Sequence, residues 1–292
     1  MQAYKDLINF ILDNGIMVPS RAGNALTAPD YMMVHKMSDG FPLLTMRKMP
    51  WIGITVELEG FLKGITDKKW YQDNNCSFWN EWANQKYVNE ELKKHPEKIR
   101  CDVQKEERDI FAGYGFEWLH AGAEYKGYNQ DYSGKGVNQV NGVIEALKKN
   151  VFDRQSLVVA WNPVNKAEYA LPPCIYAYHF KSIDGKNLDL TYNQRSGDTC
   201  LGIPNDFASG ALFLELMAKT LNMSAGRLTA TLSIPHIYEQ HLDGAKELLK
   251  REPKKLPKLE LTKDVNIFNF EAKKAELKDY ICESRIRFER NV

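Results

Sequence analysis

One cysteine has a sequence context that favours nucleophilic chemistry. Cys174 follows two prolines in LPPCIY, at the start of a segment with the composition of a β-strand. Because proline fixes the backbone, Pro172 and Pro173 would hold the thiol in one position. A single cysteine is more often a small buried hydrophobic residue, so the segment alone leaves both interpretations open.

Three further segments carry side chains that could bind an anion or move a proton. Arg195 in YNQRSGD lies at a predicted strand end, where a guanidinium beside a serine could bind phosphate or form a surface salt bridge. His236 and Tyr238 in PHIY share one strand face, which would meet either a ligand or water. Glu57 lies in an apolar helix, either as an acid of raised pKa or as a surface carboxylate.

The elements that must position these side chains are both helices and strands. Apolar residues at helical spacing predict helices in HLDGAKELLKR and over residues 3–14, 52–63, 137–150 and 207–222. Strands are predicted in SLVVAWNP, CIYAYHFKS, NLDLTYNQRS and RLTATLSIPHIY, and SDGFPLLT predicts a turn into a strand. Residues 113–136 predict a long irregular loop. This order predicts one α+β domain over residues 1–292, with a mixed or antiparallel sheet packed against helices.

A charged stretch interrupts this pattern at about residues 84–110. It is dense in Lys and Glu and contains one proline, which predicts a helical insertion at the surface. Its charges are of both signs, so it predicts no basic patch for RNA.

Composition excludes several classes of protein. Of the 292 residues, 43% are hydrophobic and 26% are charged, and the formal net charge is +1. This balance predicts no nucleic-acid partner, and no run of about 18 apolar residues predicts a membrane span. The five cysteines lack a CxxC pair, which predicts neither a disulfide framework nor a metal cluster. The N-terminus lacks a secretory pattern, so we expect a cytoplasmic location, in the host cytoplasm if the source is viral.

Eight segments, taken in order, resemble the thymidylate synthase family. They are SDGFPLL, VELEGFLKGIT, NNCSFWNEWA, AWNP, ALPPC, QRSGDTCLGIP, HIYEQH and REPKKLPKL. The stretch from IFNF to Val292 also has about the length with which this family closes its active site. The resemblance covers nearly the whole chain and implies a homodimer formed through the sheet. It implies a pyrimidine deoxynucleoside monophosphate as substrate, 5,10-methylenetetrahydrofolate as carbon donor, and no metal.

The resemblance implies catalytic roles for four matching residues. Cys174 would add to C6 of the pyrimidine and make C5 a carbon nucleophile. Glu57 and Tyr114 would remove the C5 proton through ordered water, and Asp206 would face the base. Because a free thiol of pKa about 8.5 is only a few per cent ionised at neutral pH, a cation such as Arg195 would have to favour the thiolate.

The other matches imply binding roles. The residues expected to bind nucleotide are Arg21, Arg154, Gln194, Arg195, Ser196, Asp206, His236 and Tyr238. The residues expected to bind folate are Trp79, Trp82, Asp198 and Gly202. The resemblance implies that Arg154 crosses the dimer interface, so that the two subunits share each phosphate site.

Four positions depart from the family pattern. Gln155 replaces the second of two interface arginines and removes a phosphate donor. Ile175 replaces the histidine after the nucleophile, and Gly60 replaces a tryptophan, so both are expected to remodel the pocket wall. Asp206 in PNDFAS stands where the family has an asparagine that recognises the base.

The aspartate predicts cytosine as the base. One amide matches the N3 donor and O4 acceptor of uracil, whereas a carboxylate accepts from the cytosine amino group. Polar mismatches of this kind discriminate by roughly 10⁴–10⁵. The chain is therefore expected to resemble the family's deoxycytidylate branch, including phage hydroxymethylases, and to convert dCMP into 5-hydroxymethyl-dCMP. Two alternatives stay open: thymidylate synthesis or hydroxymethylation on dUMP, and a non-catalytic relative that binds nucleotide or RNA.

Overall fold

The computed structural model describes residues 1–20, 22–82, 108–165 and 169–290. Its helices are α1 (Gln2–Asn14), α2 (Trp51–Leu62), α3 (Lys68–Asp73), α4 (Tyr114–His120), α5 (Gln139–Lys149), α6 (Gly202–Thr220) and α7 (Leu242–Lys250). Its strands are β1 (Ile16–Ser20), β2 (Gly23–Thr27), β3 (Tyr31–Lys36), β4 (Leu157–Val159), β5 (Ile175–Lys181), β6 (Asn187–Gln194), β7 (Gly197–Asp198), β8 (Ser224–Leu232), β9 (Pro235–Tyr238), β10 (Lys258–Leu261) and β11 (Ala275–Lys278).

A five-stranded sheet of order β3-β8-β6-β5-β4 forms the centre of the fold. β6 and β8 are parallel, whereas the other neighbours are antiparallel, so the predicted mixed sheet is confirmed. In the β5–β6 hairpin, Asp184 accepts hydrogen bonds from the N–H groups of Lys186 and Asn187. The hairpin register places Ile175 opposite Gln194. The residue before β5 therefore lies beside the residue after β6.

A second, four-stranded sheet has the order β1-β2-β9-β7. Its β7 and β9 are parallel, with Asp198 opposite His236. On its other edge β9 is antiparallel to β2, with Tyr238 opposite Ala25. This arrangement places Asp198 and His236 side by side. β10 and β11 form a separate antiparallel pair.

The helices α2 and α6 are buried on most of their surface and form the core with the central sheet. α2 packs against both α4 and α6. Where α4 meets α6, the Trp118 and Phe213 rings stack with centroids 4.8 Å apart. Because α2 carries Glu57 and α6 carries Asp206, this packing brings their carboxyl groups to one site. The predicted α+β class is confirmed.

Three local predictions differ from the structure. Residues 40–50 form no strand, because groups such as the Phe41 N–H donate to loop carbonyls, here that of Pro257. Tyr114–His120, predicted as loop, is the helix α4. The segment predicted as one strand in RLTATLSIPHIY is divided between β8 and β9.

The charged insertion predicted at about residues 84–110 lies outside the described residues up to residue 107. Where the chain is described again, the Lys68 N–H donates to the Arg108 carbonyl at 2.7 Å, and the Ile110 N–H donates to that of Thr66 at 3.0 Å. The described chain therefore resumes next to the start of α3. None of the helices in the described ranges combines the length and the apolar character that a membrane crossing requires.

Candidate active site

Cys174 is fixed by the tyrosine that begins α4. The Cys174 N–H donates to Tyr114 Oη at 2.8 Å, and the Ile175 N–H donates to the same oxygen at 3.2 Å. The Tyr114 ring stacks on Phe61 of α2 with a centroid distance of 4.7 Å. Since the phenol oxygen accepts both bonds, its own hydrogen remains available to donate into the site.

Arg195 is held next to the thiol by the two prolines that precede it. Its Nε donates to the Pro173 carbonyl at 2.9 Å and its Nη2 to the Pro172 carbonyl at 2.8 Å. The guanidinium also lies over the Trp161 ring, 5.6 Å from its centroid. Because a guanidinium has five N–H donors, several remain for a phosphate.

The electrostatics of Cys174 balance burial against this cation. Burial raises the pKa of the thiol to about 11, the Arg195 charge opposes that rise, and the Asp206 charge adds to it. The thiol is therefore protonated at neutral pH in the absence of ligand. Formation of the thiolate needs either a further positive charge or a neutral Asp206.

Gln194 connects the end of β6 with the carboxyl group of Asp206. Its side chain is 1% exposed, and its Nε2 lies 2.8 Å from Asp206 Oδ2 and 3.1 Å from the Ser196 carbonyl oxygen. Burial raises the pKa of Asp206 to about 7, the bond from Gln194 opposes this rise, and the Asp198 charge adds to it. Asp206 therefore changes charge within the physiological pH range.

Glu57 lies in the same group of titrating side chains. Burial raises its pKa to about 8, the Asp206 charge adds to this, and Trp79 and Arg290 oppose it. The buried Trp79 Nε1 makes no hydrogen bond of ordinary geometry with any described group. Glu57, Asp206 and Cys174 are each partly accessible although protein surrounds them, and the Asp206 charge raises the pKa of the other two.

The smaller sheet adds hydrogen-bonding side chains. His236 and Tyr238 lie on the same face of β9, both partly buried, with ring centroids 5.0 Å apart. Beside them, Asp198 Oδ1 accepts from the N–H groups of Cys200 at 2.8 Å and Leu201 at 3.2 Å. These bonds fix the carboxyl group where the chain enters α6.

The residues expected to bind folate have suitable chemistry for a flat, donor-rich pterin ring. Trp79 is 5% exposed and Trp82 is partly buried against the same core. The Trp79 N–H lies near the Glu57 carboxyl group without a hydrogen bond of ordinary geometry, and the Asp198 carboxylate can accept from ring N–H groups. A Cβ at Gly202 would lie 3.7 Å from Asp206 Oδ2 and 4.0 Å from Asp198 Cβ, so Gly202 lies next to both carboxylates.

One predicted phosphate ligand, Arg154, is not brought to this group within the single chain. Arg154 lies in the turn between α5 and β4 and is exposed. Arg21 falls between β1 and β2 in sequence and lies outside the described residues. Ser196, in contrast, lies between β6 and β7 beside Arg195, where its hydroxyl is partly buried.

Two departures from the family pattern, Gly60 and Ile175, lie within the core, whereas Gln155 is exposed between α5 and β4. A Cβ at Gly60 would lie 2.3 Å from Cε1 of Tyr71, whose side chain is fully buried and donates to the Ile65 carbonyl at 2.9 Å. The space that a side chain at residue 60 would fill is therefore occupied by the Tyr71 ring, and the expected change of the pocket wall at Gly60 stays a prediction. Ile175 is 4% exposed and packs in the core.

Two residues near the site had no role in the sequence interpretation. The fully buried His241 has its Nδ1 3.8 Å from Asp198 Oδ2, and its signal was the second histidine of HIYEQH. Arg290 donates to the Ser77 carbonyl at 2.7 Å. These partners are 213 positions apart, so no local pattern indicates their contact.

Comparison with known proteins identifies the family. The family model described as thymidylate synthase matches residues 2–292. The thymidylate synthase of Malacoplasma penetrans is 36% identical over 283 residues, 96% of each chain. That of Saccharomyces cerevisiae is 35% identical over 303 residues, 100% of this chain and 97% of the relative. That of Mycoplasma pneumoniae is 37% identical over 289 residues, 96% of each chain.

The names of these relatives correct one expectation from the sequence. They are thymidylate synthases, and they give no support to the phage-type deoxycytidylate hydroxymethylase branch inferred from Asp206. The broader resemblance is confirmed over the whole chain: this protein belongs to the thymidylate synthase family.

Proposed function

We propose that the chain transfers a one-carbon unit from methylenetetrahydrofolate to C5 of deoxyuridylate and forms thymidylate. The observation that carries this proposal is Cys174, held between Tyr114 and Arg195 close to the carboxyl groups of Glu57 and Asp206. Members of this family are one-carbon transferases that use methylenetetrahydrofolate. The enzyme class and carbon donor predicted from the sequence are therefore confirmed by family membership.

Cys174 supplies the nucleophile. Its sulfur adds to C6 of the pyrimidine, and C5 then carries the electron pair that forms the new carbon–carbon bond. Because Asp206 raises and Arg195 lowers the pKa of the thiol, the thiolate forms most readily when Asp206 is neutral. A base that binds to neutral Asp206 would in this way also activate the nucleophile.

Glu57 and Tyr114 supply the proton transfers. With a pKa of about 8, Glu57 is mostly protonated at pH 7 and can donate a proton toward the base as sulfur adds. Once ionised it can accept the C5 proton through water, with the Tyr114 hydroxyl as a donor at the same site. A pKa near the working pH allows one carboxyl group to perform both steps.

Asp206 can form hydrogen bonds with uracil when its carboxyl group is neutral. The protonated carboxyl group has one O–H donor and one carbonyl acceptor, which match O4 and the N3 hydrogen of uracil as an asparagine amide does. Since its pKa is about 7, this form is present in substantial amount at neutral pH. The departure at residue 206 is therefore compatible with thymidylate synthesis.

Deoxycytidylate is a second candidate substrate, and ionised Asp206 is the observation that favours it. The carboxylate accepts from the cytosine amino group but offers no donor to the O4 of uracil. Above the pKa of Asp206, cytosine is therefore the better match. Both candidates use the same nucleophile and carbon donor.

Methyl rather than hydroxymethyl is the product that the pocket supports best. A hydroxymethylase needs a route for water to the exocyclic carbon, and the absence of a side chain at Gly60 would leave space for one. The Tyr71 ring fills that space, and Trp79 is buried beside it with the two ring centroids 6.5 Å apart. Exclusion of water would favour hydride transfer from the tetrahydrofolate, which is thereby oxidised to dihydrofolate, over attack by water on the one-carbon unit.

A homodimer through the central sheet is also proposed. One face of this sheet is buried against α6, whereas the other exposes the apolar residues Met32, Val34, Leu157, Val159 and Tyr176. An apolar face of this kind marks an interface. Arg154 is exposed beside β4, at the edge from which it could enter a partner's phosphate site.

One experiment distinguishes the candidates. Purified protein receives equal amounts of deoxyuridylate and deoxycytidylate with methylenetetrahydrofolate at pH 6.5, and products are identified by mass. Thymidylate as the main product supports the proposal. A methylated or hydroxymethylated cytosine product would replace it with the second candidate, and its mass would distinguish methyl from hydroxymethyl. No product from either nucleotide would refute both.

A further inference from the structure

The carboxyl-terminal residues 286–290 pack onto α7 through an aromatic ring. Phe288 contacts His241 edge to face with centroids 5.1 Å apart, and the Arg47 guanidinium lies 5.5 Å from its centroid. A Cβ at Gly244 would lie 2.4 Å from Phe288 Cε1. The Phe288 ring therefore occupies space on α7 that a side chain at residue 244 would take.

The backbone of this segment is held on the same side. His241 Nε2 lies 2.8 Å from the Glu289 carbonyl oxygen and donates to it, since a carbonyl only accepts. His241 also lies 3.8 Å from the carboxyl group of Asp198. The segment thus contacts the site from the side of Asp198.

Arg290 binds the turn at Ser77 that precedes Trp79. Its Nη1 donates to the Ser77 carbonyl at 2.7 Å and its Nη2 to Ser77 Oγ at 3.2 Å. Its Nη1 also lies 3.6 Å from Glu81 Oε1. Ser77 and Glu81 flank Trp79, so the guanidinium binds the turn that carries this tryptophan.

We propose that Arg290 is a positioning residue that fastens the carboxyl-terminal segment to the Ser77–Glu81 turn and so fixes the wall formed by Trp79. The proposal rests on the proposed function, because it assigns Trp79 to the folate side of the pocket. Arg290 touches neither Cys174 nor Asp206 in the structure. It acts through the position of the turn.

The hydrogen bonds from Arg290 to Ser77 provide most of the attachment between the carboxyl-terminal segment and the Ser77–Glu81 turn. The side chains of Arg290 and Glu81 are 37% and 47% exposed, so their ion pair is screened by solvent and adds little. The two N–H donors on Ser77 use the planar geometry of the guanidinium, which an ammonium group does not reproduce. Arg290 also opposes the rise in the pKa of Glu57, and its exposure keeps this effect small.

The test compares Arg290→Gln with Arg287→Gln. Both changes remove one positive charge from the same segment, but among the described residues Arg287 makes no hydrogen bond or ion pair. In Arg290→Gln, hydrogen exchange should be faster over residues 284–290 and 76–82. The KM for methylenetetrahydrofolate should rise about tenfold, as expected for lost charge-assisted bonds, while the KM for nucleotide changes less than twofold.

Two further variants separate positioning from general destabilisation. Arg290→Lys should restore only part of the affinity for folate, since it keeps the charge but loses the two-donor geometry. Gly244→Ala should displace Phe288 and release the segment from its other side, with the same rise in the folate KM. Circular dichroism would show that each variant remains folded.

Hydrogen exchange and the two KM values together test the positioning role of Arg290. If Arg290→Gln matches Arg287→Gln in hydrogen exchange and in both KM values, the positioning role is wrong. Full recovery in Arg290→Lys would also overturn the two-donor argument. If exchange rises in Arg290→Gln but wild-type protein converts no nucleotide, the contact is supported and the proposed function is refuted.

Discussion

Gln194 donates a hydrogen bond from its buried Nε2 to Oδ2 of Asp206 over 2.8 Å. Because this bond keeps Oδ2 as an acceptor, a proton bound to Asp206 resides on Oδ1. The neutral residue then has a defined donor on one oxygen and a defined acceptor on the other. Gln194 in this way gives an aspartic acid the polarity of an asparagine amide.

The first prediction is a pH-dependent choice of base. Asp206 has a pKa of about 7, so its neutral form predominates below this pH and falls about tenfold per unit above it. The ratio of kcat/KM for deoxyuridylate to that for deoxycytidylate should therefore fall from pH 6 to pH 8.5. Measuring the ratio cancels the titration of Glu57 and Cys174, which both nucleotides share.

In Asp206→Asn this ratio should become independent of pH and favour deoxyuridylate. At pH 8 the gain in kcat/KM for deoxyuridylate should be about tenfold, since only about a tenth of wild-type Asp206 is neutral there. Asp13→Asn makes the same charge change on the exposed side of α1 and should behave as wild type. A wild-type ratio that is flat across this range would contradict the role of Asp206.

The second prediction concerns the nucleophile. Cys174→Ser should bind nucleotide with unchanged Kd and lose turnover, because a serine hydroxyl is barely ionised at this site. Isothermal titration and a turnover assay measure the two quantities, and Cys282→Ser is the matched control at a second partly buried cysteine. More than a tenth of the wild-type rate in Cys174→Ser would refute the assignment.

The third prediction concerns the shared phosphate site. Arg154→Ala and Cys174→Ser should each be inactive alone. After subunit exchange, half of the dimers are mixed, and each mixed dimer has one site with both Cys174 and a donated Arg154. About a quarter of the wild-type activity should therefore return. If exchange is demonstrated by mass and no activity returns, Arg154 does not act across the interface.

The fourth prediction concerns packing at Gly60. Gly60→Ala should lower the free energy of unfolding by about 1–3 kcal/mol, because its Cβ would overlap the buried Tyr71 ring. Gly142→Ala in α5 is the control, since nothing lies within 4 Å of its Cβ. It should raise stability by about 0.5–1 kcal/mol through helix propensity. Urea unfolding measures both, and a neutral or stabilising Gly60→Ala would show that the site has spare room.

Sequence patterns predicted the elements whose apolar spacing is regular. α1, α2 and α5 lie within two residues of their predicted bounds, because α1 and α5 each have one regular buried face and α2 is apolar over most of its length. The Gly, Tyr and Asn residues around α4 predict a loop. The helix is buried because its Trp118 stacks on Phe213 of α6. Tertiary packing, rather than the local sequence, therefore determines that this segment is helical.

The site was predictable in its residue types but not in its contacts. The strands β5 and β6 are predicted from the sequence, yet only the register of their pairing places Arg195 beside Cys174. The identity of residue 206 suggested cytosine because an ionised carboxylate was assumed. Its burial and its pKa of about 7 depend on how α6 packs against the sheet, which sequence spacing does not reveal.

The contacts of Arg195 with Pro172 and Pro173 affect the entropy of substrate capture. Immobilising a long side chain on binding ordinarily costs about 0.5–1.5 kcal/mol. Here two carbonyl oxygens already hold the guanidinium, so this ordering takes place when the chain folds. In the proposed reaction an arriving phosphate group would then lose only its own freedom of motion, and the hairpin would act as a preformed anion receptor.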